Sequence, residues 1–236
     1  MAASDFKGFP RETFDFLNSL ARNNSKEWFD RHRAGYEEHY MSPAKLFVTA
    51  IGPKLRGISK SVSFEPKVNG SIFRINRDVR FSKDKSPYKT NLDFWFWEGE
   101  HRGWESPGLF LRLTPTTMIA GAGMHAFSAP QLAKYRAAVV DAKAGVELEA
   151  IIKSLGHLTL GGASRKKVPR GFDAGHRRAP LLLHDGLHAF HEGPLPKSVH
   201  TAKFIDDCLS HFRAAAPISR WLVKRVAAAS EKKIGL

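Results

Sequence analysis

Cysteine is almost absent from this chain: Cys208 is the only one in 236 residues. A single thiol forms no internal disulfide and no cysteine-based zinc cluster. It falls in a helical apolar pattern, so an inert core thiol is expected. Long apolar runs are also missing. No stretch approaches the roughly 20 residues that span a bilayer. The first residues lack a basic segment followed by an apolar one. Neither a membrane partner nor a signal peptide is expected, and the expected compartment is the cytoplasm. Catalytic signatures are missing too: no zinc-binding HExxH helix, no hydrolase elbow, no nucleophile set beside a base. No internal repeat or long linker interrupts the chain, so 9–229 is expected to form one domain, between a flexible stretch at 1–8 and a frayed tail at 230–236.

Acidic residues are scarce relative to basic ones. Asp and Glu total 23 against 37 Lys and Arg, a net charge of +14. The excess is spread along the chain rather than held in a tail. It attracts polyanions within a Debye length of about 8 Å. An anionic small molecule is the expected partner and nucleic acid is the alternative. The hydrophobic fraction of 42% and charged fraction of 25% are those of an ordinary globular protein.

What the chain does have is concentrated at 73–91. Six cations, Arg74, Arg77, Arg80, Lys83, Lys85 and Lys89, stand there against Asp78 and Asp84. Val79, Phe81 and Tyr88 are set between the charges, which a solvated basic tail would not need. Guanidinium groups bind phosphate or carboxylate bidentately and ammonium groups add point charge. The block therefore predicts an anion site, with Asp78, Asp84 and Tyr88 among its residues and Lys167 and Arg170 joining from a second basic motif. The competing expectation is an internal ion-pair network in which both aspartates pair with the block's own cations. Asp78, Asp84, Tyr88 and Lys89 are capable of acid–base work, but Asp78 between two arginines is held ionised and suits positioning better. Whether the protein is an enzyme stays open.

Hydrophobic period predicts helices over 10–22, 25–40 and from 42, with Asn24 and Glu27 at capping-box spacing, Ser42 as a cap and Pro53 as a kink or restart. Strands follow at 71–75, 92–97, 109–113 and 118–123, the last two forming a hairpin about 114–117. Large aromatics on both sides of 92–97 predict a strand covered on two faces, or a face that forms a ligand wall. Helices over 129–142 and 146–155, loops with short strands over 156–191, and helices from Pro196 and from Pro217 complete the chain. The order predicts α+β: helices packed on a mainly antiparallel sheet.

Three weaker patterns remain. His184, His188 and His191 would share a helix face, but 187–191 alternates like a strand, which puts His188 and His191 on opposite sides. No metal and no cofactor are expected. Gly121-Ala122-Gly123-Met124-His125-Ala126 fits the loose dinucleotide form G-x-G-x-x-G/A, but close approach of two backbones explains the glycines as well. Trp95, Trp97, Trp104 and Phe110 could stack bases, although sheet packing is the commoner use.

The run Arg74-Ile75-Asn76-Arg77-Asp78-Val79-Arg80-Phe81-Ser82-Lys83-Asp84-Lys85-Ser86-Pro87-Tyr88-Lys89-Thr90 resembles the signature block of the family called domain of unknown function 2461. Asn24-Ser25-Lys26-Glu27-Trp28-Phe29 with Tyr36 resembles its N-terminal helix. Gly121-Ala122-Gly123 with Leu132 and Arg136 resembles its glycine turn and following helix. Lys167-Val168-Pro169-Arg170-Gly171-Phe172-Asp173 with His176 resembles its second basic motif. The similarity runs from about Phe9 to Leu222. It implies an α+β domain of bacteria and fungi and assigns no catalytic residues.

Overall fold

Alternating apolar side chains in the middle of the chain build one antiparallel sheet in a computed structural model, which describes residues 6–99 and 106–227. Its strands are β1 (Val62–Ser63), β2 (Leu92–Glu98), β3 (Gly108–Leu113), β4 (Thr117–Met124), β5 (Thr159–Ala163) and β6 (His184–Pro194). They lie in the order β1-β2-β3-β4-β6-β5, with antiparallel neighbours throughout. The helices are α1 (Arg11–Arg22), α2 (Lys26–Arg31), α3 (Arg33–Gly35), α4 (Ser42–Leu55), α5 (Ala129–Val140), α6 (Ala144–Ser154) and α7 (Phe204–Arg225). Helices flank a central antiparallel sheet, so the class is α+β.

The sheet has two unequal faces because side chains alternate along a strand. Leu92, Phe94 and Phe96, Leu109, Leu111 and Leu113, Met118, Ala120 and Ala122, and Leu187 and Ala189 belong to the main hydrophobic cluster. Helices cover this face. Phe47 of α4 packs 4.9 Å from Phe94, and Phe212 of α7 packs 6.2 Å from Phe96, centroid to centroid. Trp95, Trp97, Phe110 and Phe190 alternate with these residues and point the other way.

Several local expectations change. Asn24 is not the helix cap. Ser25 is: its hydroxyl accepts from Trp28 N. Asn24 instead exchanges two 3.0 Å bonds with the backbone of Tyr88. The 25–40 helix divides, because π-helical turns at Tyr36–Met41 carry the chain straight into α4, and Ser42 caps nothing. The 71–75 strand reduces to an isolated bridge, Ile72 to Phe94. β1 occupies the far end of β2 while 71–73 covers the near end, so the exposed edge is shared between two short partners. Within 156–191, a strand of 11 residues begins at His184. The final helix begins at Phe204, after a 3-10 turn at Lys197–His200, and runs through Pro217. An interior proline costs about 3 kcal/mol, but Ala215, Ala216, Ile218, Trp221 and Leu222 around it are all buried. That burial outweighs the lost hydrogen bond.

Two closures hold distant segments together. Gly8, at φ +116°, lets the chain pass against the backbone of His200 and Thr201. Phe9 N then donates to Val199 O at 2.8 Å, and His200 Nδ1 lies 2.8 Å from Phe9 O. Phe6, inside the stretch expected to be flexible, is buried against Phe9 and Phe47; residues 1–5 and the expected frayed tail lie outside the described residues. Arg178, only 5% exposed, donates to the carbonyls of Val139, Val140 and Asp141 and so satisfies the C-terminus of α5.

The basic block is a packed arm. Arg77 N donates to Pro87 O and Lys89 N to Ile75 O, both at 2.8 Å, so its two limbs pair. Ile75 and Tyr88 are buried, and Tyr88 stacks on Phe29 at 4.2 Å. Asn24→Ala removes both clasps on Tyr88. At about 1 kcal/mol per net hydrogen bond it should lower the urea-derived stability by about 2 kcal/mol. It should also speed proteolytic cleavage within 77–87.

Candidate functional site

The face of the sheet opposite the helices carries a cavity of about 360 Å³. Strand register builds it in cross-strand rows. Asp93, Arg112, Ile119 and Glu192 form one row; Trp95, Phe110, Gly121 and Phe190 the next; Trp97, Gly108, Gly123 and His188 the third. Large rings and glycines share rows for a steric reason. A Cβ on Gly108 would lie 2.7 Å from Trp95 Cζ2, and one on Gly121 would lie 2.7 Å from Phe110 Cζ. A Cβ on Gly161, from β5, would collide with the His188 ring. The glycines let the rings lie flat against the backbone.

This settles the glycine motif. Gly121 and Gly123 lie inside β4, a hairpin strand, and not in a turn that opens a helix. The next helix starts at Ala129 behind a separate Ser128–Gln131 capping box. No phosphate-cradling loop is formed there, and the turn that the family resemblance implied is strand.

The polar end of the cavity centres on Asp93, whose side chain is 9% exposed. Arg112 Nε donates to Asp93 Oδ1 at 2.7 Å and Nη2 to Oδ2 at 3.2 Å. Lys89 Nζ lies 3.7 Å from the same carboxylate and 5.0 Å above the Phe73 ring centre. Bonding to Asp93 raises the Arg112 pKa. Lys89 moves the other way: burial lowers its pKa, Asp93 opposes that, and Arg112 and Arg74 push it down further. Two cations thus hold one buried carboxylate, and Arg74 adds its charge at Lys89. At the other end His125 and His188 lie 5.8 Å apart. Burial, then the charge of His125, lowers the His188 pKa.

The residues expected from the sequence are only partly gathered. Of them, Lys89 lines the cavity, and Arg74 acts on it through its charge. Arg77 is paired with Asp84, and Arg80 grips Asp78 through Nε at 2.9 Å and Nη2 at 2.7 Å. Arg80 bonding holds the Asp78 pKa at about 2, and Ser86 and Arg77 hold Asp84 lower still. Lys85 Nζ caps Val79 O. Lys83, Lys167 and Arg170 are exposed and away from the cavity, and Tyr88 is in the core. The ion-pair expectation thus describes the tip of the arm, while the arm's base supplies the cavity.

Asp93, Arg112, His125 and Glu192 were missed. Their only signal is a polar residue at the alternate positions of an apolar strand, as Asp93 in Leu-Asp-Phe-Trp. Trp95 and Phe110, singled out as stacking residues, do line the cavity; Trp104 lies outside the described residues. His188 faces the cavity and His191 the helices, as strand alternation requires. His184, on the same strand, does not line the cavity but acts on His188 through its charge, and burial lowers its own pKa as well.

An antiparallel sheet with helices on one face and an aromatic, charge-ended cavity on the other defines an α+β protein with one open sheet face. A family model described as "Conserved hypothetical protein (DUF2461)" matches residues 12–221, and the chain belongs to that family. No curated protein matches it.

The buried histidines set a pH dependence. Their folded pKa values lie below the unfolded value of about 6.5. The unfolded chain therefore takes up protons first, and stability falls as pH drops below about 6.5. Urea midpoints should decrease from pH 7.5 to 5.5, and His188→Gln should flatten part of that slope. The exposed carboxylates with lowered pKa act at more acid pH and leave this window to histidine.

Proposed function

We propose that the cavity binds a small molecule with a flat apolar body and one anionic group, a carboxylate or a phosphate. The division of the cavity wall carries this reading: Trp95, Phe110 and Phe190 at one part, Lys89 and Arg112 at another. Rings lying flat over glycines offer π-faces to a planar ligand. Glu192 and Asp93 stand against Lys89 and Arg112 in the cavity wall, but Asp93 is taken up by Arg112; burial first, and then repulsion from Arg112 and Arg74, depresses the Lys89 pKa. An incoming oxyanion relieves that repulsion, so the site favours negative charge where the cations converge. The volume falls at the lower end of the range for small-molecule pockets. The buried single thiol, Cys208, fits the cytoplasm as the proposed compartment.

Thermal melts against nucleoside monophosphates and aromatic carboxylates, with inorganic phosphate and neutral aromatics as controls, test this. A ligand at 100 times its Kd stabilises by about 2.7 kcal/mol. Only molecules with both parts should raise Tm, and Lys89→Met and Phe110→Ala should each abolish the rise while Arg170→Ala retains it. A panel without any shift, or a shift that survives Lys89→Met, rejects the reading.

Nucleic acid is the second reading, and one observation favours it. Phe81 is 96% exposed at the tip of the basic arm, with the Arg80 guanidinium 5.8 Å from its ring and Lys83 and Lys85 close in sequence. An exposed ring among cations stacks single-stranded bases. Phe81→Ala should weaken binding of single-stranded DNA at least several-fold at low salt, measured by fluorescence anisotropy. No binding by the intact chain at low salt removes this reading.

A further inference from the structure

On the opposite side of the sheet from the aromatic cavity, three histidines from separate elements converge. His157 follows α6, whose end is turned by Gly156 at φ +61°. His191 is in β6 and faces the helices. His211 is on α7. One ring nitrogen from each lies within 4.8 Å of the other two. The His191 and His211 rings stack at 4.3 Å and 9°, and the His157 ring meets His191 edge-on at 5.8 Å. The chain leaves room for them: a Cβ on Gly193 would lie 2.8 Å from His191 Nε2. A separate cavity of about 170 Å³ adjoins the cluster, lined by His191, His211, Asp207 and Ser210 among others.

We propose that His157, His191 and His211 form a binding site for a divalent transition-metal ion of the Zn²⁺ type. The donor set decides the class. Imidazole nitrogens suit Zn²⁺, Ni²⁺ and Cu²⁺, whereas Ca²⁺ and Mg²⁺ need oxygen ligands. A tetrahedral zinc site has nitrogens about 2.0 Å from the ion, and so about 3.3 Å from one another. Binding an ion draws the nitrogens, now within 4.8 Å, closer together, and turns the stacked His191 and His211 rings about their Cβ–Cγ bonds, which are broad torsions, so that their lone pairs converge. Three protein ligands leave a fourth position, and the adjoining cavity gives water access to it. Asp207 lines that cavity and accepts from the Ser198 hydroxyl, so a carboxylate stands near the ligand set.

The state of the rings supports the geometry. Burial, followed by the charges of His191 and His157, lowers the His211 pKa. A neutral imidazole keeps the lone pair that a metal needs. The site is independent of the aromatic cavity, because His191 and its neighbours Phe190 and Glu192 point to opposite faces of β6.

The test uses tag-free, chelator-treated protein titrated with Co²⁺ and followed by its visible absorption. One equivalent should bind with the intense bands of four-coordinate cobalt, and Zn²⁺ should displace it. His157→Gln changes an exposed side chain and should weaken uptake by at least about 100-fold, since losing even a partner that supports a ligand costs about 10–100-fold, with an unchanged metal-free Tm. His211→Asn should do the same, and His39→Gln should have no effect. The proposal is overturned by a titration that never saturates, by the faint spectrum of six-coordinate cobalt, or by His157→Gln binding as tightly as His39→Gln.

Discussion

A carboxylate placed inside a sheet must find cations, and in this protein Asp93 finds two. Its position in β2 is otherwise surrounded by apolar residues. Leaving it unpaired would cost several kcal/mol. Arg112 answers from the neighbouring strand and Lys89 from the base of the basic arm. The same pairing registers β2 against β3, ties the arm to the sheet, and leaves cations around one end of the aromatic cavity. Position 93 therefore joins the stability of the sheet to the chemistry of its open face.

The two faces of the sheet obey different rules. On the helix side, Leu, Ala, Met and Phe fill space, and their identity follows from packing volume. On the other side, large rings share rows with glycines that a methyl group would disrupt. Glycine within a strand costs about 0.5–1 kcal/mol each relative to alanine. A stable sheet alone would not keep Gly108, Gly121 and Gly123 so close to Trp95, Phe110 and His188. Flat rings next to a cluster of charges form the wall of the open cavity at the expense of strand stability.

The fold class was legible because its signals are local. Alternation over 92–97, the 114–117 turn and the 3.6 period of α1 each lie within one short window. Errors fell where a tertiary partner overrode a local rule. Asn24 has the spacing of a cap but serves Tyr88, 64 residues away. Pro217 reads as a start, yet burial on both sides carries α7 through it. The candidate site was legible only at Lys89 and at the aromatic residues of β2 and β3. Charge density drew attention to the arm's tip, where Arg77 and Arg80 pair with the arm's own aspartates. Asp93 and Arg112 meet only through strand register, which composition does not encode. His157, His191 and His211 have no shared spacing at all, and the sheet and two helices are needed to bring them together.

The seam between Phe9 and Val199–His200 bears on how the molecule comes into being. The partners are about 190 residues apart in the chain. A ribosome releases the aromatic side chains of Phe6, Phe9 and Phe14 first, yet His200 and Phe204, against which the latter two pack, emerge near the end of translation. The opening helix can dock early on one side, where Phe16 meets Trp28, Phe29, Tyr36 and Tyr40. The side that carries Phe9 and Phe14 waits for His200 and Phe204, and its closure is a late, long-range event of the kind that slows folding.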